Sequence, residues 1–193
     1  MKFVELFAGV GGFRIGLERA GHECLWSNEW DKHCQDVYKY HWGDIDGRDI
    51  RKVDADEVPK HDLLVGGFPC QSFSIAGLRK GTNEERGTLF QEIVRIAKAR
   101  RPDTLLLENV KGLLSAQNGY AFYRIISELE ELGYRLEWQV LNSKNFGVPQ
   151  NRERVFIVGH LGDESGGQVF PLAEDAAEVQ GISGGEVYDR KLV

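Results

Sequence analysis

Short apolar runs alternate along the chain with longer segments in which apolar residues recur every three or four positions. Apolar runs of about five residues, bounded by glycine or polar residues, are typical of buried strands. The pattern predicts six strands, over Phe3–Phe7, Glu23–Ser27, Leu63–Gly67, Thr104–Glu108, Arg135–Leu141 and Val155–Gly159. A weaker strand is predicted near Gly47–Ile50.

Helical spacing of apolar residues fills the intervals between these strands. In the clearest case, Phe122, Ile125, Ile126 and Leu129 form one stripe. The predicted helices cover Gly12–Ala20, Asp31–Tyr40, Thr88–Arg100 and Tyr120–Leu132. Strands that alternate with helices predict an α/β fold, in which a mostly parallel sheet carries helices on both faces.

The charged residues divide the chain into two parts. The formal net charge is −6, but residues 161–193 hold seven of the 30 acidic residues and two of the 24 basic ones, which leaves 23 acidic and 22 basic residues in 1–160. We therefore expect residues 1–160 to form one domain and 161–193 to be an acidic, glycine-rich linker or the start of an absent region. A near-neutral body neither supports nor excludes a polyanionic partner.

The remaining composition excludes several classes of protein. Three cysteines without metal-type spacing predict neither a disulfide framework nor a zinc site. Apolar runs stay far below the roughly 20 residues of a membrane span, and the first strand begins too early to leave room for a signal peptide. We expect a reduced, cytoplasmic protein with no metal and no membrane contact.

Cys70 directly follows the third predicted strand, in the sequence Gly66-Gly67-Phe68-Pro69-Cys70. Open α/β sheets bind their ligands at the carboxyl ends of the strands, so this cysteine is expected beside the substrate crevice. A thiolate in that position can act as a nucleophile. The alternative is a small buried cysteine that only fills the core.

The segments after the first two strands describe an adenosine site. Phe7–Phe13 is a glycine-rich turn that opens a helix and offers free amides to a ligand, although tight packing explains such a turn equally well. Glu29 follows at the position where an acidic residue usually holds a ribose hydroxyl. Trp30 could stack on adenine or anchor the surface, and Asp49-Ile50 could hold the exocyclic amine and the other ring face. Because a regular GxGxxG run is missing, S-adenosylmethionine suits the site better than NAD.

Two further polar groups are expected at the same edge of the sheet. Glu108 ends an apolar strand and would be costly to bury without a partner, although it could simply cap the next turn. Arg152 and Arg154 precede the last predicted strand. They could form a solvated turn or, beside a cysteine and a glutamate, hold a polar ring.

The order of these motifs resembles that of the cytosine-C5 DNA methyltransferases of restriction–modification systems. The segments that carry the resemblance are FAGVGGF, SNEWD, GGFPCQSFS, RGTLF, ENVKG and PQNRERVF, between about Phe3 and Gly159. The resemblance implies a Rossmann-like catalytic domain that uses S-adenosyl-L-methionine to methylate C5 of a cytosine flipped out of double-stranded DNA.

Site residues follow from the resemblance position by position. Cys70 is implied as the nucleophile that forms a covalent adduct, Glu108 as its partner at cytosine N3, and Arg152 and Arg154 as the frame of the pocket. The implied cofactor residues are Phe7, Ala8, Gly9, Gly11, Gly12, Phe13, Glu29, Trp30, Asp49, Ile50, Phe68 and Pro69. The implied substrate contacts are Gln71, Ser72, Arg79, Asn109 and Val110.

The chain departs from the family pattern after PQNRERVF. Complete members continue with a target-recognition region and end on a Gly-Asn-Ser-Val-like segment beside the first helix, whereas this sequence contains no Gly-Asn pair. It therefore reads as a truncated enzyme, one subunit of a two-chain enzyme, or a remnant. Two alternatives remain open, a transfer-RNA methyltransferase of the same fold and a non-catalytic subunit that needs a partner chain. The expected setting is the cytoplasm of a prokaryote or phage host, at its DNA.

Overall fold

The computed structural model describes residues 1–69, 89–162 and 167–172. Its six strands are β1 (Lys2–Leu6), β2 (Glu23–Asn28), β3 (Leu63–Gly67), β4 (Thr104–Val110), β5 (Tyr134–Asn142) and β6 (Glu153–Leu161). Its four α-helices are α1 (Gly12–Arg19), α2 (Lys32–Trp42), α3 (Leu89–Arg100) and α4 (Tyr120–Glu131). Short 3₁₀ helices cover Ile50–Lys52, Ala55–Glu57, Lys111–Ser115 and Ser143–Phe146.

All six strands join one sheet in the order β2-β1-β3-β4-β6-β5. The pairs β1–β2, β1–β3 and β3–β4 are parallel, whereas β6 runs antiparallel to both β4 and β5. The predicted α/β class with a mostly parallel sheet is confirmed. Because β6 is reversed, its first residues lie at the carboxyl edge of the other strands, where Arg154 is paired in register with Val110.

The prediction of a weak strand near Gly47–Ile50 is wrong. The residue before this segment, Asp46, forms a single parallel bridge with Asn28, and the segment itself leads into the 3₁₀ helix Ile50–Lys52. The side chains of Asp46 and Asp49 each accept a hydrogen bond from the backbone amide two residues ahead. Aspartates that bond their own backbone in this way favour turns over extended strands.

One face of the sheet is covered by α3 and α4. Leu64, Leu105 and Ile157 of the sheet meet Ile93 of α3 and Phe122 of α4, and all five side chains are fully buried. Burial of this apolar stripe explains why α4, with its apolar residues at helical spacing, forms here.

The other face is covered by α1 and α2 and contains a buried polar network. Phe13 and Leu17 of α1 pack against Phe3 and Val65 of the sheet. Beside them the fully buried Glu5 lies 3.5 Å from the hydroxyl of Tyr38.

The Tyr38 hydroxyl is the centre of that network. It also lies 2.5 Å from the Ser27 hydroxyl and accepts a hydrogen bond from Arg14 at 3.0 Å. The other carboxylate oxygen of Glu5 has no hydrogen-bond partner among the described residues. Burial outweighs the nearby Arg14 guanidinium and raises the pKa of Glu5 to about 8.

Part of this second face is uncovered in the described structure. Leu106 of β4 and Phe156 of β6 are half-buried, and none of the α1 side chains is fully buried within the described part of the chain. A Cβ atom added at Gly12 or Gly16 of α1 would meet no described atom within 4 Å. Residues 167–172 lie further along, where Glu137 and Gln139 of β5 accept their backbone amides. We call the surface around Leu106 and Phe156, between α1 and residues 167–172, the open strip.

In the described ranges, no helix is both long and apolar enough to cross a membrane.

Candidate active site

The turn after β1 forms one side of a crevice at the carboxyl edge of the sheet. Phe7, Gly9 and Gly11 all have positive φ, at 56°, 54° and 87°. Such a conformation is unusual for a bulky residue like Phe7 and marks a backbone held by its surroundings. A Cβ atom on Gly9 would meet no described atom within 4 Å, so the backbone is accessible there. The turn therefore presents bare main chain to the crevice.

Glu29 fastens that turn to the end of β2. Its carboxylate accepts hydrogen bonds from the amide of Gly9 and from the amide of Asp31, both at 2.8 Å. The residue is 8% exposed. A carboxylate has about four lone-pair sites, so two amides leave capacity for a ligand's hydroxyl groups.

A small pocket opens beside this carboxylate. Trp30 is 61% exposed and presents its indole to the pocket. Asn28 is buried below and donates hydrogen bonds to the carbonyls of Asp46 and Arg48, which holds the following loop in place. The residues that line the pocket are Phe7, Asn28, Trp30, Asp49, Ile50 and Leu89. Apolar walls with an aromatic ring and a carboxylate at the mouth fit an adenine ring with an amine.

Glu108, at the end of β4, is the centre of a second group of residues further along the same edge. Its Oε1 lies 2.8 Å from Nε of Arg154 on the neighbouring β6. Gly67 is its register partner on β3, and a Cβ there would come within 3.1 Å of Glu108 Oε2. Glycine therefore leaves the space that this carboxylate occupies.

Two opposing effects act on the pKa of Glu108. Burial raises the pKa of this carboxyl above its ordinary value, although the guanidinium groups of Arg154 and Arg152 act to lower it. A carboxylic acid with a raised pKa stays protonated closer to neutral pH and can donate a hydrogen bond or a proton. The geometry thus combines a carboxyl group whose pKa is raised with a cation that can hold a carbonyl oxygen.

Asn109 connects Glu108 to the segment that leads towards Cys70. Its side-chain amide donates a hydrogen bond to the carbonyl of Phe68 at 2.8 Å, and its oxygen accepts the amide of Val110. Asn109 is 2% exposed, so both of its polar ends are engaged inside the protein, whereas Val110 is exposed. The backbone two residues before Cys70 is therefore fixed against the end of β4.

Arg152 is held by its backbone, because its amide donates to the side-chain oxygen of Asn142 and its carbonyl accepts the amide of Ser143. This pairing positions the start of β6 beside the end of β5. It leaves the Arg152 side chain exposed at the same edge as Glu108.

A family model described as C-5 cytosine-specific DNA methylase matches residues 1–180. This chain belongs to the C-5 cytosine-specific DNA methylases. It is 46% identical over 159 residues to the type II methyltransferase M.DsaV of Dactylococcopsis salina, and 44% identical over 158 residues to M.HhaI of Haemophilus parahaemolyticus. These alignments cover 82% of this chain but 45% and 48% of the relatives. The chain thus spans about half the length of the curated relatives it matches.

The solved structure of the Dnmt2 methyltransferase of S. pombe has the same fold as this chain. It superposes with a TM-score of 0.74 at 22% identity, over 88% of this chain and 53% of that one. The family depends on S-adenosylmethionine, and the pocket lined by Trp30 and Asp49 offers an aromatic ring and a carboxylate for its adenosine part.

The residues predicted for the methylase site fall into three groups. Phe7, Trp30, Asp49 and Ile50 line the pocket. Of the predicted turn residues, Gly9 binds Glu29, Ala8 is buried beside Tyr38, and Gly11 and Gly12 lie at the start of α1, where Gly11 packs against Trp42. Phe68 is buried in the core against Phe90, Phe13 is half-buried against Phe156, and Pro69 is exposed. Outside the described residues lie Cys70, Gln71, Ser72 and Arg79.

Three residues at or beside the pocket are absent from the sequence-based prediction. Asn28 and Leu89 line the pocket, and Arg51 contacts two of its lining residues, Trp30 and Asp49. Asn28 could have been found, because a polar residue that ends a buried strand needs partners. Leu89 and Arg51 carry no such signal, since an apolar helix residue and an exposed arginine are ordinary in any sequence.

Proposed function

We propose that the enzyme to which this chain contributes methylates C5 of cytosine in double-stranded DNA. The observation that carries the proposal is the Glu108–Arg154 pair, which lies at the same sheet edge as the pocket lined by Trp30 and Asp49 and beside the segment leading to Cys70. We also propose that residues 1–160 form the catalytic domain, and that the work is done at the DNA of a prokaryotic cell.

Cytosine C5 is a weak nucleophile, and Cys70 is proposed to activate it. The Cys70 thiolate attacks C6 and forms a carbon–sulfur bond, which turns the ring into an enamine with electron density at C5. Bound S-adenosylmethionine supplies the electrophilic methyl group. After methylation, loss of the C5 proton drives elimination of the Cys70 thiolate and restores the aromatic ring.

Glu108 and Arg154 are proposed to stabilise the charge that develops during attack. Protonated Glu108 donates to cytosine N3 as C6 is attacked, and Arg154 binds the base carbonyl. The raised pKa of Glu108 suits this role, because it increases the protonated fraction near neutral pH. Arg152 adds positive charge at the same edge.

The target base has to leave the duplex before Cys70 can reach C6. We assign contacts with the DNA to Gln71, Ser72 and Arg79, which follow the nucleophile in the sequence, and to the exposed Val110. Asn109 is proposed to support the pocket from beneath rather than to touch DNA, since both of its polar ends are engaged.

Sequence recognition is proposed to come from a region that corresponds to the unmatched half of the relatives. The chain spans about half of its relatives, and the open strip leaves Leu106 and Phe156 half-buried. A further domain, on the same chain or on a partner chain, would cover apolar surface there and contribute the target-recognition region. The 193-residue chain by itself is then expected to methylate DNA poorly.

The test is covalent trapping. The chain is combined with the C-terminal half of a curated relative and incubated with S-adenosylmethionine and a duplex that carries 5-fluorocytosine at the target. Fluorine blocks the deprotonation at C5, so an adduct that survives denaturation is expected. Cys70→Ala should abolish it, and Glu108→Gln should slow turnover by about 10²–10⁴-fold while DNA binding is retained.

Cys34→Ala is the matched control, because Cys34 lies on α2 and should leave the adduct unchanged. An adduct that persists in Cys70→Ala, or that maps by mass spectrometry to Cys24 or Cys34, contradicts the proposed mechanism. Robust site-specific methylation by the 193-residue chain alone would contradict the need for a second half.

A further inference from the structure

The loop between β2 and β3 contains the same local motif twice in succession. Asp46-Gly47-Arg48 and Asp49-Ile50-Arg51 each place an arginine two residues after an aspartate. In both, the arginine amide and guanidinium bind the aspartate carboxylate. Arg48 Nε and Nη2 lie 3.1 and 2.7 Å from Asp46 Oδ2, and Arg51 Nε and Nη2 lie 3.1 and 2.5 Å from Asp49 Oδ2.

The two arginines differ in what else they contact. Arg48 extends to Glu57, at 2.8 Å, and has no contact with the pocket in the described structure. The guanidinium of Arg51 lies over the indole of Trp30, 6.0 Å from the ring centroid. Both Asp49 and Trp30 line the pocket. A single guanidinium therefore touches two of the pocket's walls.

We infer that Arg51 is a positioning residue of the cofactor site, which holds the Asp49 carboxylate and the Trp30 indole in place for the adenine ring. Trp30 is 61% exposed, and an indole in that position loses conformational freedom when a ligand binds, unless it is already held. Arg51 restrains the Trp30 indole before the ligand binds. The inference rests on the proposed function, since it concerns the site that would bind the adenosine part of the cofactor.

The chemistry of the guanidinium explains why arginine is needed here. Its planar fork binds a carboxylate through two N–H groups while its face stacks on an aromatic ring, whereas a lysine ammonium does one of these at a time. The pairing also lowers the pKa of Asp49, which keeps the carboxylate ionised as a hydrogen-bond acceptor. The backbone N–H, Nε and Nη2 of Arg51 bind Asp49, which leaves about one of the four acceptor sites of the carboxylate for an exocyclic amine.

The test measures binding of S-adenosylhomocysteine to the 193-residue chain by calorimetry, at ligand concentrations up to the millimolar range. Arg51→Gln should weaken binding by about tenfold, which is the order of magnitude for ordering two side chains on binding. Arg51→Lys should restore part of that loss. Arg48→Gln is the matched control, because it breaks the same kind of aspartate pair outside the pocket, and it should change the affinity by less than about twofold.

A second measurement separates positioning from a general loss of structure. In a Trp30→Leu background, Arg51→Gln should weaken binding by only about two- to threefold, since one of its two partners is already gone. An equal loss in both backgrounds would assign the effect to Asp49 alone and overturn the joint role. Equal affinities of Arg51→Gln and Arg48→Gln would also overturn the inference, while the proposed function stands. Absence of binding by the wild-type chain would count against the cofactor site itself and take this inference with it.

Discussion

The two faces of the sheet are covered in different ways. On the α3–α4 face, the contact with the sheet is apolar, and side chains such as Phe122 and Ile93 are fully buried. On the α1–α2 face, Glu5 and Tyr38 form a buried polar network, and the open strip leaves Leu106 and Phe156 half-buried. The α3–α4 face is therefore a fully buried hydrophobic core, whereas the α1–α2 face combines polar groups with uncovered apolar surface.

This difference indicates where the chain is stable by itself and where it depends on additional contacts. Apolar burial is the main favourable contribution to folding, so the α3–α4 face should supply most of the stability of the isolated chain. The pocket does not belong to the α1–α2 face, because its residues Phe7, Ile50 and Leu89 pack in the same cluster as α3 and α4. The packed α3–α4 core thus also supports the apolar wall of the pocket.

The largest expected effect comes from Glu5 on the polar face. Its pKa is raised from an ordinary value near 4.5 to about 8, so the folded state binds a proton more tightly than the unfolded state. Stability should therefore be highest below pH 4.5, fall as the pH rises to 8, and level off above it. The contribution lost is up to about 5 kcal/mol, at about 1.4 kcal/mol for each unit of pKa.

Glu5→Gln removes this ionisation and provides the check. Denaturant unfolding of both proteins between pH 5 and pH 9 should show the variant gaining on the wild type as the pH rises. The groups that face Glu5 are Arg14, Glu18, Cys24 and Tyr38, and all of them are present in both proteins. Parallel stability profiles for the two proteins would refute the assignment.

The second prediction compares an aromatic side chain on each face. Phe122→Ala should cost about 3–5 kcal/mol, because Phe122 is fully buried against Trp138. Phe13→Ala should cost about 1–2 kcal/mol in the isolated chain, since Phe13 and its partner Phe156 are only half-buried. The free energy of unfolding from urea titrations measures both. Equal costs would show that the two faces contribute alike.

The smallest expected effect concerns Gly16, in the middle of α1. Because a Cβ there meets no described atom within 4 Å, Gly16→Ala should stabilise the isolated chain by about 0.5–1 kcal/mol through helix propensity. Gly11→Ala is the opposite control, since Gly11 has a φ of +87° and its Cβ would overlap the Trp42 ring. A destabilised Gly16→Ala chain would mean that this side of α1 is already covered.

Much of this architecture could be predicted from the hydrophobic pattern. Apolar runs locate all six strands, and the stripe from Phe122 to Leu129 locates α4. The reversed direction of β6 could not be predicted, because a short buried strand reads the same in either direction. The Gly47–Ile50 error has a similar origin, since Asp46 and Asp49 favour turns only when their side chains bond the local backbone.

The sequence predicts those site residues that are charged and lie at the end of an apolar strand. Glu29 and Glu108 stand out in this way, because a carboxylate there needs a reason to be partly buried. Glu29 also accepts a hydrogen bond from the amide of Gly9, in addition to its predicted role towards a ribose hydroxyl. This contact joins residues twenty positions apart, and no local sequence pattern contains it. The contact between Arg51 and Trp30 is likewise visible only in three dimensions.

The position of β6 in the sheet also affects the order in which the strands can pair while the chain is being synthesised. β5 is synthesised before β6, yet within the described sheet it is hydrogen-bonded to β6 alone, and β6 is the strand that joins it to β4. β5 therefore has no partner strand until β6, which ends at Leu161, has left the exit tunnel. A nascent chain that is arrested before Leu161 has emerged should contain a sheet of β1 to β4. A chain that is arrested after Leu161 has emerged should contain all six strands.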